Sequence, residues 1–251
     1  MKLSGQVAFV TGAARRLGQA VALALAQEGA DVLLHVHRSS GEEVAREVRN
    51  AGRRAWVVKA DLSSPAEAVR LSQDALALAG RVDILINNAA IFFPTPLPNL
   101  TTQAWRTILH TNLTSPFTLS LLLGRAMRAQ GRGDIIQLTD WSGVRPLPAY
   151  LPYCVSKGGL WTLTQALAKV FAPQVRVNGV APGPVLPPDD YPEAERQFLC
   201  SETPLRRVGQ VSDVIRAVRF LLTADGFITG SVYVVDGGWL ARAPGGRRTS
   251  L

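Results

Sequence analysis

Cysteine, methionine, histidine and lysine are all scarce in this chain, and each shortage excludes something. Its 251 residues hold two Cys, two Met and three His. Cys154 and Cys200 lie far apart, so neither a disulfide framework nor a metal site is expected. No apolar run approaches the ~18–20 residues needed to cross a bilayer, and no membrane partner is expected. The opening Met1-Lys2-Leu3 and Val7-Ala-Phe-Val10 have the outline of a short export signal, but a glycine-bearing turn follows at once from Thr11. The segment therefore reads as a strand entering a turn, and a cytoplasmic location is expected. Acidic side chains are outnumbered, 19 against 27 basic ones, giving a net charge of +8. Only four of the basic residues are Lys. The arginines are scattered or paired, as in Arg15-Arg16, Arg53-Arg54 and Arg206-Arg207. With no finger spacing, basic helix or aromatic RNA-binding signature, this pattern favours an enzyme for anionic ligands over a dedicated nucleic-acid binder.

What is present suits a large core: 47% of the residues are hydrophobic and 18% charged. Short apolar runs alternate with helical patterns. Strands are predicted at 7–11, 32–36, 55–59, 84–87, 134–139, 175–180 and 231–235, and helices at 18–28, 42–51, 65–79, 102–130, 152–171 and 212–223. Such alternation implies an α/β fold, a single-domain Rossmann-type doubly wound parallel sheet of about seven strands with helices on both faces. No repeat or linker divides the chain, so one domain is read over residues 1–242. Residues 182–204 contain six prolines and read as an irregular substrate loop, about 183–204, or lid. Residues 243–251 read as a flexible tail.

The stretch Thr11-Gly12-Ala-Ala-Arg15-Arg16-Leu17-Gly18 follows the first strand and opens the first helix. A glycine turn there brings backbone close to a pyrophosphate at a helix amino terminus. The middle glycine of the usual Gly-x-x-x-Gly-x-Gly spacing is Arg16, whose guanidinium suits phosphate or an anionic or hydrogen-bonding substrate. The second strand ends in His35-Val-His37-Arg38-Ser39 instead of an acidic residue. These are donors suited to a 2′-phosphate, so NADPH is the expected cofactor. Asp61-Leu62 would lie beside the adenine, and Asn88-Ala89 closes the fourth strand where the nicotinamide half would lie.

Tyr153 and Lys157 stand four residues apart, one turn along the same helical face. There an ammonium can stabilise a phenolate and make the phenol a usable proton donor near neutral pH. Asp140 lies thirteen residues before Tyr153 and could orient it, relay its proton or simply cap a loop. Phe92 and Phe93 could pack a lid or meet a ligand.

Together these motifs resemble the short-chain dehydrogenase/reductase family from Val7 through Gly238. The resemblance implies a catalytic set of Asn112, Tyr153 and Lys157, with cofactor contacts at Gly12, Arg15, Arg16, Leu17, Gly18, His37, Arg38, Ser39, Asp61, Leu62, Asn88, Ala89, Tyr153, Lys157, Pro182, Gly183 and Val185. Most members complete the set with a serine where this chain has Asp140, while Ser142 is two residues out of register. Asp140, Arg16, the His37-Arg38-Ser39 run and Phe92 resemble the pteridine reductase branch, in which the phenylalanine stacks on a pterin. That branch implies substrate contacts from Arg16, Phe92, Asp140, Tyr153 and Leu186, a pterin or folate substrate, a homotetramer, and an approach by Arg242 from a neighbouring subunit. Ala90 and Val185 depart from serines of that branch. The alternatives are a carbonyl reductase acting on a 3-oxoacyl thioester, sugar or steroid, and a non-catalytic NADPH-sensing or nucleic-acid-binding regulator.

Overall fold

The structure, a computed structural model, describes residues 2–185, 192–224 and 226–242. Seven strands lie in the order β3-β2-β1-β4-β5-β6-β7: β1 (Val7–Val10), β2 (Asp31–Val36), β3 (Ala55–Lys59), β4 (Ile84–Asn87), β5 (Gly133–Leu138), β6 (Val175–Pro182) and β7 (Val232–Val235). Every neighbouring pair is parallel. Each return therefore crosses a face of the sheet, and the period-two side chains divide between two cores. Ala8 and Val10, Val32 and Leu34, and Ile84 and Ile86 point into one. Phe9, Leu33 and Leu85 point into the other.

Helices α1 (Arg16–Gln27) and α2 (Glu42–Asn50) cover the first core, α3 (Pro65–Ala79) the second. The single helix predicted over 102–130 is divided. α4 (Thr102–Leu109) passes into a wide π turn at His110–Thr114, and α5 (Ser115–Ala129) resumes with Pro116 in its first turn. Proline has no N–H to close the preceding α turn, which gives the widening its local cause. α6 (Leu151–Phe171) packs on the second core with α5, and α8 (Val211–Thr223) on the first.

The segment 183–204, expected to be irregular, holds a ten-residue helix, α7 (Glu193–Glu202), which follows Pro192. Proline density hid the run Glu-Ala-Glu-Arg-Gln-Phe-Leu-Cys-Ser-Glu, which has no internal breaker. Leu186 and the tail 243–251 lie outside the described residues.

The amino ends of the strands are bound by charge. Asp83 accepts the Val7 N–H at 2.9 Å and two nitrogens of Arg81, with Arg132 at 3.7 Å. Asp134 pairs with Arg176 at 2.7 Å. Burial pushes the Asp134 carboxyl up to about 6 against the pull of that arginine. The carboxyl ends carry the glycine turn and the catalytic candidates, as a doubly wound sheet requires at its β1/β4 switch point.

Candidate active site

The turn after β1 is built from the backbone outward. Gly12 adopts φ +65°, and a Cβ on Gly18 would stand 2.1 Å from the Gly12 carbonyl oxygen, so only glycine fits there. The Thr11 hydroxyl oxygen accepts the N–H groups of Asn88 and Ala89, each at 2.9 Å. The Asn88 amide donates back to the Thr11 carbonyl at 2.8 Å. Asn88, assigned to the cofactor from sequence, spends its amide N–H on bracing this turn. His35 does the same from β2. Its Nδ1 accepts the Gly12 N–H at 3.1 Å while Nε2 faces the Ala60 carbonyl at 3.1 Å. An N–H on one side and a carbonyl on the other require the tautomer protonated at Nε2. Burial lowers the His35 pKa to about 4, which keeps the ring neutral. Neither Thr11 nor His35 stood out in sequence as a brace, because the partners are main-chain atoms of distant segments.

Arg16 leads into α1 at φ +54°, in the left-handed region that glycine normally fills. His37 and Asp61 stand 3.7 Å apart at the carboxyl edge, both about half exposed. Arg38 and Ser39 are exposed beside them. The Ser63 backbone N–H holds Asp61 below its ordinary carboxyl range. Leu62 is packed in the second core, with its carbonyl taken by the Ser115 hydroxyl at 2.7 Å. Pro182 ends β6, and Gly183 lies against Asp236, leaving no room for a Cβ. Val185 pairs with Gly209. The glycine turn, the basic end of β2 and this β6 exit line one edge of the sheet, and the close-approach glycines suit a dinucleotide.

Asp140 follows β5, and Tyr153 and Lys157 lie on α6. The Tyr153 hydroxyl donates to Asp140 Oδ2 at 3.1 Å, and the Ser142 N–H donates to Oδ1 at 2.8 Å. Asp140 thus caps its loop and holds the tyrosine. Ser142 is buried, and the side chain that meets the Tyr153 hydroxyl is the aspartate's. Lys157 is buried, donates from Nζ to the Leu138 carbonyl at 2.6 Å, and lies 5.7 Å from the Tyr153 ring centre. Burial lowers its pKa to about 8, with Asp140 opposing the shift. The expectation that Lys157 draws the phenol toward neutrality is not met in this arrangement. Burial and then the neighbouring Asp140 charge push Tyr153 well above its ordinary value. Burial also raises the Asp140 carboxyl.

Asn112, on the π turn, is almost fully buried and bonds reciprocally to Ile91: its Oδ1 accepts the Ile91 N–H at 2.9 Å and its Nδ2 donates to the Ile91 carbonyl at 3.0 Å. The asparagine expected in the catalytic set therefore acts on the loop that carries Phe92. The Phe92 ring is 56% exposed, stacks on Tyr150 at 4.3 Å with a 5° interplanar angle, and meets Tyr153 edge-on at 4.7 Å. Tyr150 was not singled out from sequence. Its role emerges only when the turn before α6 brings it under Phe92. Arg242, expected at a neighbour's site, is engaged within its own chain, with Glu202 at 2.6 Å. Among the described residues no cluster of His, Cys, Asp and Glu could hold a metal, and no helix is long and apolar enough to cross a membrane.

Comparison with known proteins matches residues 12–240 to the family described as enoyl-(acyl carrier protein) reductase. A 3-oxoacyl-[acyl-carrier-protein] reductase of Synechocystis sp. is 35% identical over 241 residues, covering 94% of this chain and 97% of the relative. A 2-dehydro-3-deoxy-D-gluconate 5-dehydrogenase of Bacillus subtilis is 34% identical over 249 residues, 96% of each. Among solved structures, a gluconate 5-dehydrogenase of Burkholderia cenocepacia J2315 in complex with NADP and tartrate superposes with a TM-score of 0.88. It is 30% identical, over 96% of this chain and 97% of that one.

Proposed function

This chain belongs to the short-chain dehydrogenase/reductase family, a nicotinamide-dependent oxidoreductase acting on a small molecule, and on that footing we propose that it uses NADPH to reduce a C=N bond of a pterin- or folate-like ring. The observation that carries this reading is the bond from the Tyr153 hydroxyl to Asp140. A carboxylate beside the reacting tyrosine disfavours an oxyanion and favours a substrate whose nitrogen gains a proton and presents N–H groups. The half-exposed Phe92 ring next to Tyr153 offers a flat partner for a heteroaromatic face.

When bound, the cofactor supplies a hydride. The glycine turn from Gly12 to Gly18, with Arg15, Arg16 and Leu17, would hold its phosphates, and His37, Arg38 and Ser39 its 2′-phosphate. Asp61, Leu62 and Ala89 would flank it, and Pro182, Gly183 and Val185 would close the nicotinamide side. In the free site the Tyr153 hydroxyl donates to Asp140, which holds it in place. On this reading the hydroxyl turns from Asp140 to the substrate nitrogen and gives up its one proton there, leaving a phenolate that the Lys157 ammonium offsets. The buried Lys157 provides positive charge beneath them, and Asn112 keeps the Phe92 loop in place through Ile91.

The comparisons support a second reading more strongly than the first: a relative that covers nearly the whole chain is a 3-oxoacyl-thioester reductase. On that reading Asp140 must be protonated to donate to a carbonyl oxygen, a state toward which burial moves it. NADPH oxidation measured with 7,8-dihydrobiopterin, dihydrofolate and acetoacetyl-CoA separates the two. Turnover of the thioester alone overturns the pterin reading, and turnover of a dihydropterin or dihydrofolate alone overturns the thioester reading. A homotetramer and a cytoplasmic site of action belong to the same proposal, the first supported by the family resemblance and the second by two free, distant cysteines. Sedimentation equilibrium tests the assembly.

A further inference from the structure

Arg242 joins three segments that are far apart in the chain. Its carbonyl accepts a hydrogen bond from Arg145 Nη1 at 3.2 Å, and its own Nη1 donates to Glu202, the last residue of α7, at 2.6 Å. Its guanidinium carbon lies 3.7 Å from the centre of the Trp239 ring. Trp239 is 4% exposed and meets Trp141 edge-on at 5.6 Å. Trp141 directly follows Asp140, and Arg145 lies in the same loop on the way to Tyr153. The ends of this loop are thus fixed to the catalytic pair, and its middle is fixed to Arg242.

We propose that Arg242 is a positioning residue, a clasp that sets the location of α7 and the geometry of the Asp140–Tyr153 loop together. An isolated surface ion pair would contribute little. This one is about three-quarters buried on both sides, its cation is stacked on an aromatic ring, and its backbone is anchored separately. Displacing Glu202 therefore alters how Arg242 rests on Trp239, and through Trp239 how Trp141 supports Asp140. The route is a contiguous set of packed and bonded groups. The next contacts reinforce it: the Leu205 N–H donates to the Gly237 carbonyl at 3.1 Å, and Gly237 leaves no space for a Cβ beside Thr203. The segment leaving α7 is thereby seated on the turn that carries Trp239. The functional consequence rests on the reading that Asp140 and Tyr153 perform the proton transfer; the mechanical link does not.

The test uses the full chain and two readouts. Amide hydrogen exchange is compared in wild type, Glu202→Gln, Arg242→Ala, Arg242→Lys and the reversed pair Glu202→Arg/Arg242→Glu. Glu202→Gln is expected to speed exchange about 3- to 10-fold in residues 141–150, though Glu202 is remote from them in sequence. Arg242→Ala should do the same, Arg242→Lys less, and the reversed pair, which regains the ion pair but leaves no cation on the Trp239 ring, should stay close to Arg242→Ala. In parallel, kcat with 7,8-dihydrobiopterin or acetoacetyl-CoA should fall by a similar factor while the NADPH Kd holds. Exchange changes confined to 193–202, or a reversed pair with wild-type exchange in 141–150, would overturn the clasp. A kcat loss matched by an equal loss of NADPH affinity would overturn it as well. Coupled exchange with no turnover of either compound upholds the clasp and overturns the substrate reading.

Discussion

Asp140 and Arg16 each stand where another residue type would cost less. Asp140 is a half-buried carboxyl against a buried phenol, and removing it leaves the Tyr153 hydroxyl without its partner. Tyr153→Phe and Asp140→Ala are each expected to cut turnover at least ~100-fold, as loss of an acid–base group does, while NADPH affinity measured by fluorescence stays close to wild type. Arg16 occupies left-handed backbone at φ +54°. Arg16→Gly should relieve that backbone strain and weaken NADPH binding several-fold in a fluorescence titration. A variant that keeps full affinity would remove Arg16 from the site. Lys157 gives opposite trends for activity and stability. Its folded pKa, about 8, lies below its unfolded value of 10.5. The ammonium is therefore lost as pH rises through 8, and kcat/KM of the free enzyme should fall there. Between those values the unfolded chain holds the proton that the native chain has lost, so this residue makes stability rise with pH over the same window.

At the scale of elements, α8 shows how an end can be fixed by one side chain. Asp213 closes a capping box with Gln210 and pairs with Arg207 at 2.6 Å and with Arg216. The Arg207 bonds, followed by the Gln210 N–H, lower its pKa to about 2. A depressed carboxyl stabilises above its unfolded pKa and loses that contribution as pH falls through the folded one. Asp213→Ala should cost about 1–2 kcal/mol near neutral pH, with the penalty shrinking toward zero by about pH 2 in a pH series of melts. The strands were legible in sequence to within a residue or two at nearly every end, because a strand buried on both faces is a continuous apolar run. α7 was not, since its flanking prolines dominate the local composition. The π turn was also hidden: nothing in Leu109-His-Thr-Asn-Leu distinguishes a wide turn from an ordinary one until Asn112 finds Ile91. Sequence placed Asp140, Tyr153 and Lys157 together by helical spacing and register. It could not show that Asp140 holds the tyrosine more closely than Lys157 does, because that depends on how the loop after β5 turns.

Across the whole molecule, cofactor and fold are linked by mass action. NADPH at about 100 times its Kd should add ~2.7 kcal/mol of stability. For a chain of this size that raises Tm by about 5–10 °C. NADH at the same concentration should give a much smaller rise if His37 and Arg38 bind a 2′-phosphate, and equal shifts would remove that assignment. The seven parallel strands also make the two edges of the sheet unequal. All the candidate chemistry lies at their carboxyl ends, and the opposite edge is closed by Asp83, Arg81, Arg132 and the Asp134–Arg176 pair. That charged rim provides a natural point of attachment to a solid support. A tether at the exposed Arg132 side chain would anchor the molecule by its rear edge, with the glycine turn and Phe92 facing the flowing solution.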